Sequence, residues 1–397
     1  MAVQRVWAVG DLHGDVGCAR YWLGRTGLVR NLEDADPARW EWADAAADLV
    51  LMGDYLDKGP HARATLELAR NLSERFTQHV TALMGNHELN ALLDRTAPPG
   101  NRYLEYAYGA AHPAQYADWL PADARASPNT TAALDEIQTA LLEVYARGLE
   151  ASVMMSPSGD RSIVRHVRPE SRELVAASLA TWQDAYLNAI GSGTDLGRWL
   201  ERRPFTHWAA GTLFVHAGVP PAVGAAGGAQ ALRELNAEIA EINAEISAEA
   251  RSGAAAFSAG VYARPLVHEL VEYRGLHKAD CATLRVLADV MGVSRVAVGH
   301  TPGLLVRKRC GGTLLSIDSS LGRWFRASGN HYCPGGAARA VGGRRFECAD
   351  VGGKCEGQVV VFERGASGGV DTWAVRVIDS DAAGQGAQAP RGLADEL

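Results

Sequence analysis

Six side chains of metal-binding type stand at or just after short apolar runs in this chain. Asp11-Leu12-His13 puts a carboxylate and an imidazole two residues apart, so that one tight loop can present both to one metal ion. Gly53-Asp54-Tyr55-Leu56-Asp57-Lys58-Gly59 sets a carboxylate at the end of an apolar run and an acid–base pair three residues further on. Gly85-Asn86-His87-Glu88 offers an amide oxygen followed by an imidazole, and His216 and His300 each close an apolar run. This mixed nitrogen and oxygen set suits Zn, Fe or Mn rather than Ca or a thiolate-bound metal. A lone Asp after a strand is more often a turn or cap residue, and a lone His is more often a hydrogen-bonded core or surface group. Six such residues in this order predict a binuclear metal site.

The elements that must position them are readable. Val6–Val9, Leu49–Met52, Val80–Met84 and Val296–Val298 each precede a glycine and then a ligand, and Thr212–Val215 leads straight into His216. Continuous aliphatic runs of this length predict buried parallel strands. A following glycine lets the backbone turn and approach a ligand closely. The ligands are therefore expected at one edge of a sheet. Helices are predicted over about Val16–Thr26 and His61–Phe76, giving β-α-β-α-β across residues 3–94 and an α/β core.

Residues 95–205 lack the strand-glycine-ligand unit and read as a helical, cap-like insertion, with helices near Thr131–Leu149 and Ser171–Ile190. A surface helix is expected over Gln230–Arg251, where Leu232, Leu235, Ile239, Ile242 and Ile246 recur at spacings of three and four. Further strands are predicted at Thr313–Ile317, Gln358–Glu363 and Thr372–Ile378, with a Gly-rich loop over 326–357. Residues 1–380 thus form one domain, and 381–397 a flexible tail.

The chain of 397 residues is 47% hydrophobic, enough for a large core. Its net charge of −7 argues against binding driven by nucleic-acid phosphates. No run of eighteen apolar residues predicts a membrane span, and a first strand at Val3 leaves no room for a signal peptide within this chain. Six cysteines occur without a CxxC pair, four of them between Cys310 and Cys355, so a structural zinc site is poorly supported. Disulfides would require an oxidising compartment. The final Ala394-Asp395-Glu396-Leu397 differs by one residue from a KDEL-type retention signal. A cytoplasmic location and, with a leader absent from this chain, the endoplasmic-reticulum lumen both stay open.

The segments Gly10-Asp11-Leu12-His13-Gly14, Gly53-Asp54 through Gly59, Gly85-Asn86-His87-Glu88, Val215-His216-Ala217-Gly218 and Gly299-His300-Thr301-Pro302 together resemble the ordered signature of the calcineurin-like metallophosphoesterases. The Gly-Asn-His-Glu form and Asp57 narrow the resemblance to the phosphoprotein phosphatase branch. Tyr273-Arg274-Gly275-Leu276, Gly-His-Thr-Pro and Ile317-Asp318 resemble the Shewanella-like phosphatases. The resemblance covers about residues 3–94 and 205–325.

It implies a four-layer αββα sandwich holding two metal ions of Mn, Fe or Zn type. Asp11 and His13 would bind the first, Asp54 would bridge, and Asn86, His216 and His300 would complete the second. Pro302 stands where many relatives carry a further histidine, so the first metal would keep more water. Two divalent cations outweigh Asp11, Asp54 and a bridging hydroxide, leaving a site that favours a phosphate dianion. The implied reaction is phosphomonoester hydrolysis by in-line attack of that hydroxide on a phosphoprotein or small phosphorylated substrate. His87 would protonate the leaving oxygen and Asp57 would hold its imidazole. Lys58, Asn86 and Arg274 would bind the phosphate, with Arg264 competing for the place of Arg274. Lys58 departs from the arginine usual in the family, and a lysine is a point charge rather than a planar fork. Lysine also occurs in the ApaH-like branch, which makes a dinucleoside polyphosphate or phosphoanhydride hydrolase the alternative. A non-catalytic scaffold is the third reading, and no ligand or catalytic position is lost to support it.

Overall fold

A computed structural model describes residues 3–95, 97, 102–105, 112–146, 163–220, 265–326, 339–341, 344–346, 354–365 and 372–380. The apolar runs become strands β1 (Arg5–Val9), β4 (Ala47–Leu51), β5 (Val80–Ala82), β7 (Thr212–Val215), β8 (Arg295–Val298) and β10 (Leu314–Ser316). A small ribbon of β2 (Val29–Arg30) and β3 (Glu41–Trp42) lies between the first two. With β6 (Thr206–Ala209), β9 (Arg307–Arg309), β13 (Gln358–Arg364) and β14 (Trp373–Asp379) they form two five-stranded sheets, in the orders β14-β13-β1-β4-β5 and β6-β7-β8-β10-β9. The strands that deliver ligands pair in parallel, β1 with β4, β4 with β5 and β7 with β8. The flanking β13, β14, β6 and β9 run antiparallel to their neighbours.

Side chains alternate between two cores, which explains why the runs are apolar without interruption. Val6, Ala8, Val50 and Met52 of the first sheet meet Phe214, Ala297, Leu315 and Ile317 of the second. Trp7, Val9, Leu49 and Leu51 face the other way, with helical residues such as Trp22 and Leu66. The result is the expected helix–sheet–sheet–helix layering. One expectation is corrected: the ligands do not converge on one sheet edge. The β1, β4 and β5 ends belong to one sheet and the β7 and β8 ends to the other, so the site straddles two sheets. Buried strands carry the same apolar signature in either sheet, so sequence alone could not divide them.

Helix Val16–Thr26 forms as predicted, because Asp15 accepts from the Cys18 N–H at its start and Gly27 closes it at φ 67°. The second helix is Ala62–Arg75. Helices Pro128–Ala146 and Arg172–Ala189 match the two expected between 95 and 205, and the described residues 112–205 contain no strand. The loop expected at 326–357 contains a two-stranded ribbon, β11 (Arg339–Val341) against β12 (Arg344–Phe346), whose arginine-rich sequence shows no apolar alternation. Helix Gln230–Arg251, Arg264 and the tail after Ser380 lie outside the described residues.

Among the described residues, the two clustered cysteines Cys310 and Cys355 pair outside the cluster. Cys18 of the first helix bonds Cys355 ahead of β13, and Cys281 bonds Cys310, while Cys333 and Cys348 lie outside the described residues. Among the described residues no helix is long and apolar enough to cross a membrane.

Candidate metal centre

Tight turns at the strand ends aim the ligands inward. His13, Asp54, Asp57, Lys58 and His300 all adopt positive φ, between 42° and 68°. Each such residue costs about 1–3 kcal/mol unless its surroundings hold it there, and such strain gathers at functional sites. The holding group is visible. The buried Glu88 accepts from the N–H groups of Gly85 and Asp54 through Oε2 (3.1 and 2.7 Å) and from those of Tyr55 and Leu56 through Oε1 (2.9 and 3.1 Å). Two glycines leave the carboxylates room, since a Cβ on Gly85 would collide with Asp54 Oδ1 and one on Gly299 with Asp11 Oδ1.

Asp54 is the hub. Its Oδ1 lies 3.3 Å from His216 Nε2, and its Oδ2 lies 3.6 Å from His13 Nε2 and 3.8 Å from His87 Nε2. Asn86 Oδ1 stands 3.1 Å from both His216 Nε2 and His300 Nδ1. Two groups with the spacing of metal ligands therefore share Asp54: His13, Asp54 and His87 on one side, and Asp54, His216 and His300 on the other.

Tautomers are set from behind. A carbonyl oxygen only accepts, so His216 Nδ1–H donates to Met52 O (2.8 Å) and His13 Nδ1–H donates to Leu56 O (3.1 Å). Both rings thus turn Nε2 to the centre, as metal-binding imidazoles do. Ligand atoms about 2.0–2.1 Å from a tetrahedral metal stand about 3.3 Å apart, close to the 3.1–3.3 Å among Asp54, Asn86, His216 and His300. Asp11 Oδ2 accepts from the His300 N–H (3.0 Å) and lies 4.0 Å from His13 Nε2. Its Oδ1 is buried with no hydrogen-bond partner among the described residues. A buried carboxylate oxygen left this way is costly, and a cation beside it removes the cost. The residues present fit a pair of metal ions.

The protonation balance agrees. Burial, reinforced by Asp318, pushes the Asp11 carboxyl well above the usual carboxylate range. Burial would also raise Asp54, but His216 and His87 around it hold it well below. Burial lowers the His13 imidazole, with His87 and Lys58 adding to the fall. Burial would lower His216 too, yet Asp54 overrides it and pushes the ring up to about 10. A bound cation would replace that proton.

His87 Nδ1 lies 2.6 Å from Asp57 Oδ2. Burial acts to lower its pKa, but Asp54 and Asp57 outweigh that and raise it. The shift favours the protonated ring, with Nε2 turned to the cavity. Lys58 is half-buried, and its charge reaches both His13 and His87. Arg274 is exposed at the start of the turn Gly275–His277, and its charge reaches His300.

Residues that the sequence reading did not assign to the site also face it. Glu88 ties the turns, and Glu272 Oε2 lies 3.4 Å from His300 Nε2. Gln115 Nε2 donates to Asp57 Oδ1 at 2.6 Å. Asp318 is pushed up to about 6 by burial, with Asp54 adding to the rise. The signals for Glu88 were its place in Gly85-Asn86-His87-Glu88 and its helix-start spacing from Gly85, and that for Asp318 was the Ile317-Asp318 segment; Glu272 and Gln115 are ordinary polar residues until folded.

The sequence model of the family described as Calcineurin-like phosphoesterase matches residues 4–186. An uncharacterized protein of Schizosaccharomyces pombe is 35% identical over 102 residues, covering 24% of this chain and 29% of its own length. The chain is thus matched to less than a third of that relative's length. Among solved structures, the cold-active protein-tyrosine phosphatase of a psychrophilic Shewanella aligns with a TM-score of 0.50 at 17% identity, over 91% of this chain and 76% of that one. A second structure of a cold-active protein tyrosine phosphatase aligns with a TM-score of 0.51 at 16% identity, over 91% and 75%. These likenesses show a shared fold. Two stacked sheets and the ordered ligands at their strand ends accord with the calcineurin-like phosphoesterase match over residues 4–186.

Proposed function

We propose that the protein is a binuclear metal-dependent phosphomonoesterase of the protein phosphatase kind. The observation that carries this reading is the sharing of Asp54 by two ligand groups, with the His87–Asp57 pair beside them. Two metal ions, when bound, lower the pKa of water to about 7 and neutralise phosphoryl charge. The chain's own residues do the rest. Lys58 and Arg274 add positive charge on either side of the centre, which favours a phosphate dianion. Asn86 turns its carbonyl oxygen to His216 and His300, which leaves its amide NH2 as a donor toward phosphoryl oxygen.

His87 supplies the proton. Its Nδ1–H is held by Asp57, so its Nε2–H points into the centre, where the leaving oxygen takes that proton as the P–O bond breaks. Water provides the oxygen gained by phosphorus and the proton that restores the imidazole. The products are alcohol or phenol and inorganic phosphate.

Lys58 supports one second reading, a hydrolase of dinucleoside polyphosphates or related phosphoanhydrides. A panel on metal-defined enzyme decides between them: a phosphotyrosine peptide, a phosphoserine/threonine peptide, p-nitrophenyl phosphate and a diadenosine polyphosphate. The expected result is metal-dependent turnover of the phosphomonoesters that is lost in Asp54→Asn. Turnover confined to the dinucleotide would move the assignment to the second reading. Full activity in metal-stripped protein or in Asp54→Asn would overturn both.

A further inference from the structure

The segment 112–119 docks against the back of the turn that carries Asp57 and Lys58. The His112 N–H donates to the Lys58 carbonyl at 2.7 Å, and the Arg63 N–H donates to Asp118 Oδ2 at 3.1 Å. Asp57 and Lys58 both sit at positive φ, so this turn is one that needs support. Between those two contacts, the fully buried Gln115 reaches Asp57.

The chemistry fixes which way the Gln115 amide faces. A carboxylate only accepts, so the NH2 group points to Asp57 Oδ1. Its own Oε1 is then buried with no hydrogen-bond partner among the described residues. A leucine or methionine of similar size would spare that cost but would leave the buried Asp57 Oδ1 without its donor. The side chain is thus placed for Asp57 rather than for packing.

We propose that Gln115 is a positioning residue for proton donation, and that the 95–205 insertion contributes it to the centre. Asp57 has one oxygen on His87 Nδ1 and the other on Gln115 Nε2, both at 2.6 Å. With both oxygens engaged, the carboxylate cannot rotate about its terminal torsion, and the His87 ring is held with Nε2 toward the leaving oxygen. The insertion thereby acts from behind the centre, through Asp57. The inference rests on the reading of His87 as proton donor.

The test compares p-nitrophenyl phosphate, whose nitrophenolate leaves without a proton, with phenyl phosphate, whose phenol has a pKa of about 10 like tyrosine. Metal-loaded Gln115→Leu is expected to lose roughly 10- to 100-fold in kcat on phenyl phosphate, below the roughly 10²–10⁴ of losing the acid itself. On p-nitrophenyl phosphate it should stay within about threefold, with KM unchanged on both. His87→Asn should show the same bias, larger. In metal-free protein, the downfield proton resonance of the His87–Asp57 hydrogen bond should shift or broaden in Gln115→Leu. Gln115→Met, closer in shape to glutamine, gives the same comparison if the leucine variant does not fold. Equal losses on both substrates, or no loss with an unmoved resonance, would overturn the inference while His87→Asn keeps its bias. Absence of bias in His87→Asn would overturn the proton-donor reading and the inference with it.

Discussion

Replacing Asp15 by asparagine should cost the fold about 3 kcal/mol at neutral pH, and the cost should fade in acid. Asp15 follows the ligand loop Asp11–Gly14 directly and binds across to Arg323, the first residue of the short helix Arg323–Arg326. Its Oδ2 accepts from the Arg323 N–H and Nε (both 2.9 Å), and its Oδ1 accepts from Arg323 Nη2 (2.8 Å) and the Cys18 N–H (3.1 Å). The asparagine variant keeps the helix cap, because Asn caps as well as Asp. It loses the bidentate ion pair and sets an NH2 group against donors. Removing one partner of a buried pair costs about 3–5 kcal/mol; the Arg323 side chain keeps 23% exposure, which favours the lower end. The sign of the pH effect follows. Burial alone would raise the Asp15 pKa, but the Arg323 hydrogen bonds dominate and the group ends below 3.8. A depressed acid contributes stability above its unfolded value, lost as pH falls through the folded one. Urea unfolding followed by tryptophan fluorescence, on both proteins from pH 7 down to pH 3, reads the difference directly. A gap under about 1 kcal/mol at pH 7, or one that persists undiminished in acid, would refute the reasoning.

Glu88→Ala leaves four buried N–H groups without their acceptor, at about 1–3 kcal/mol each. The expected loss of at least about 4 kcal/mol is a large part of a typical domain's 5–15 kcal/mol, and urea unfolding of metal-free protein checks it. Cleavage of the Cys18–Cys355 bond, which closes a loop of 337 residues, should lower stability by about 2–5 kcal/mol. Unfolding curves with and without reductant, beside a Cys18→Ser, Cys355→Ser double variant, measure it. The Cys18–Cys355 and Cys281–Cys310 bonds would persist only in an oxidising compartment. Thiol titration of protein isolated under alkylation should then find those four cysteines unreactive.

The strand-glycine-ligand pattern was legible because each part has a local cause. Aliphatic runs fit only buried strands, and Gly85 and Gly299 stand where a methyl would strike Asp54 or Asp11. Helix Val16–Thr26 was legible to the residue because its caps, Asp15 and Gly27, are themselves local signals. Helix Asn86–Asp94 was missed although Glu88 stands at its third position, because the apolar run ahead of it drew the reading toward the strand. Other features needed the folded chain. β13 inserts beside β1 with Val360 opposite Ala8, across some 350 residues of sequence, and no periodicity reports such a pairing. Gln115 and Glu272 become part of the centre only through contacts made from the insertion and from helix Pro265–Glu272.

In the proposed centre Asp54 would join two metal ions, one against Asp11 and His13 and one against Asn86, His216 and His300. Anomalous scattering from crystals of protein loaded with manganese tests it most directly. Two peaks flanking the Asp54 carboxylate are expected, with Asp54→Asn weakening both. A single peak, or peaks that leave Asp54 outside the coordination of either ion, would contradict it.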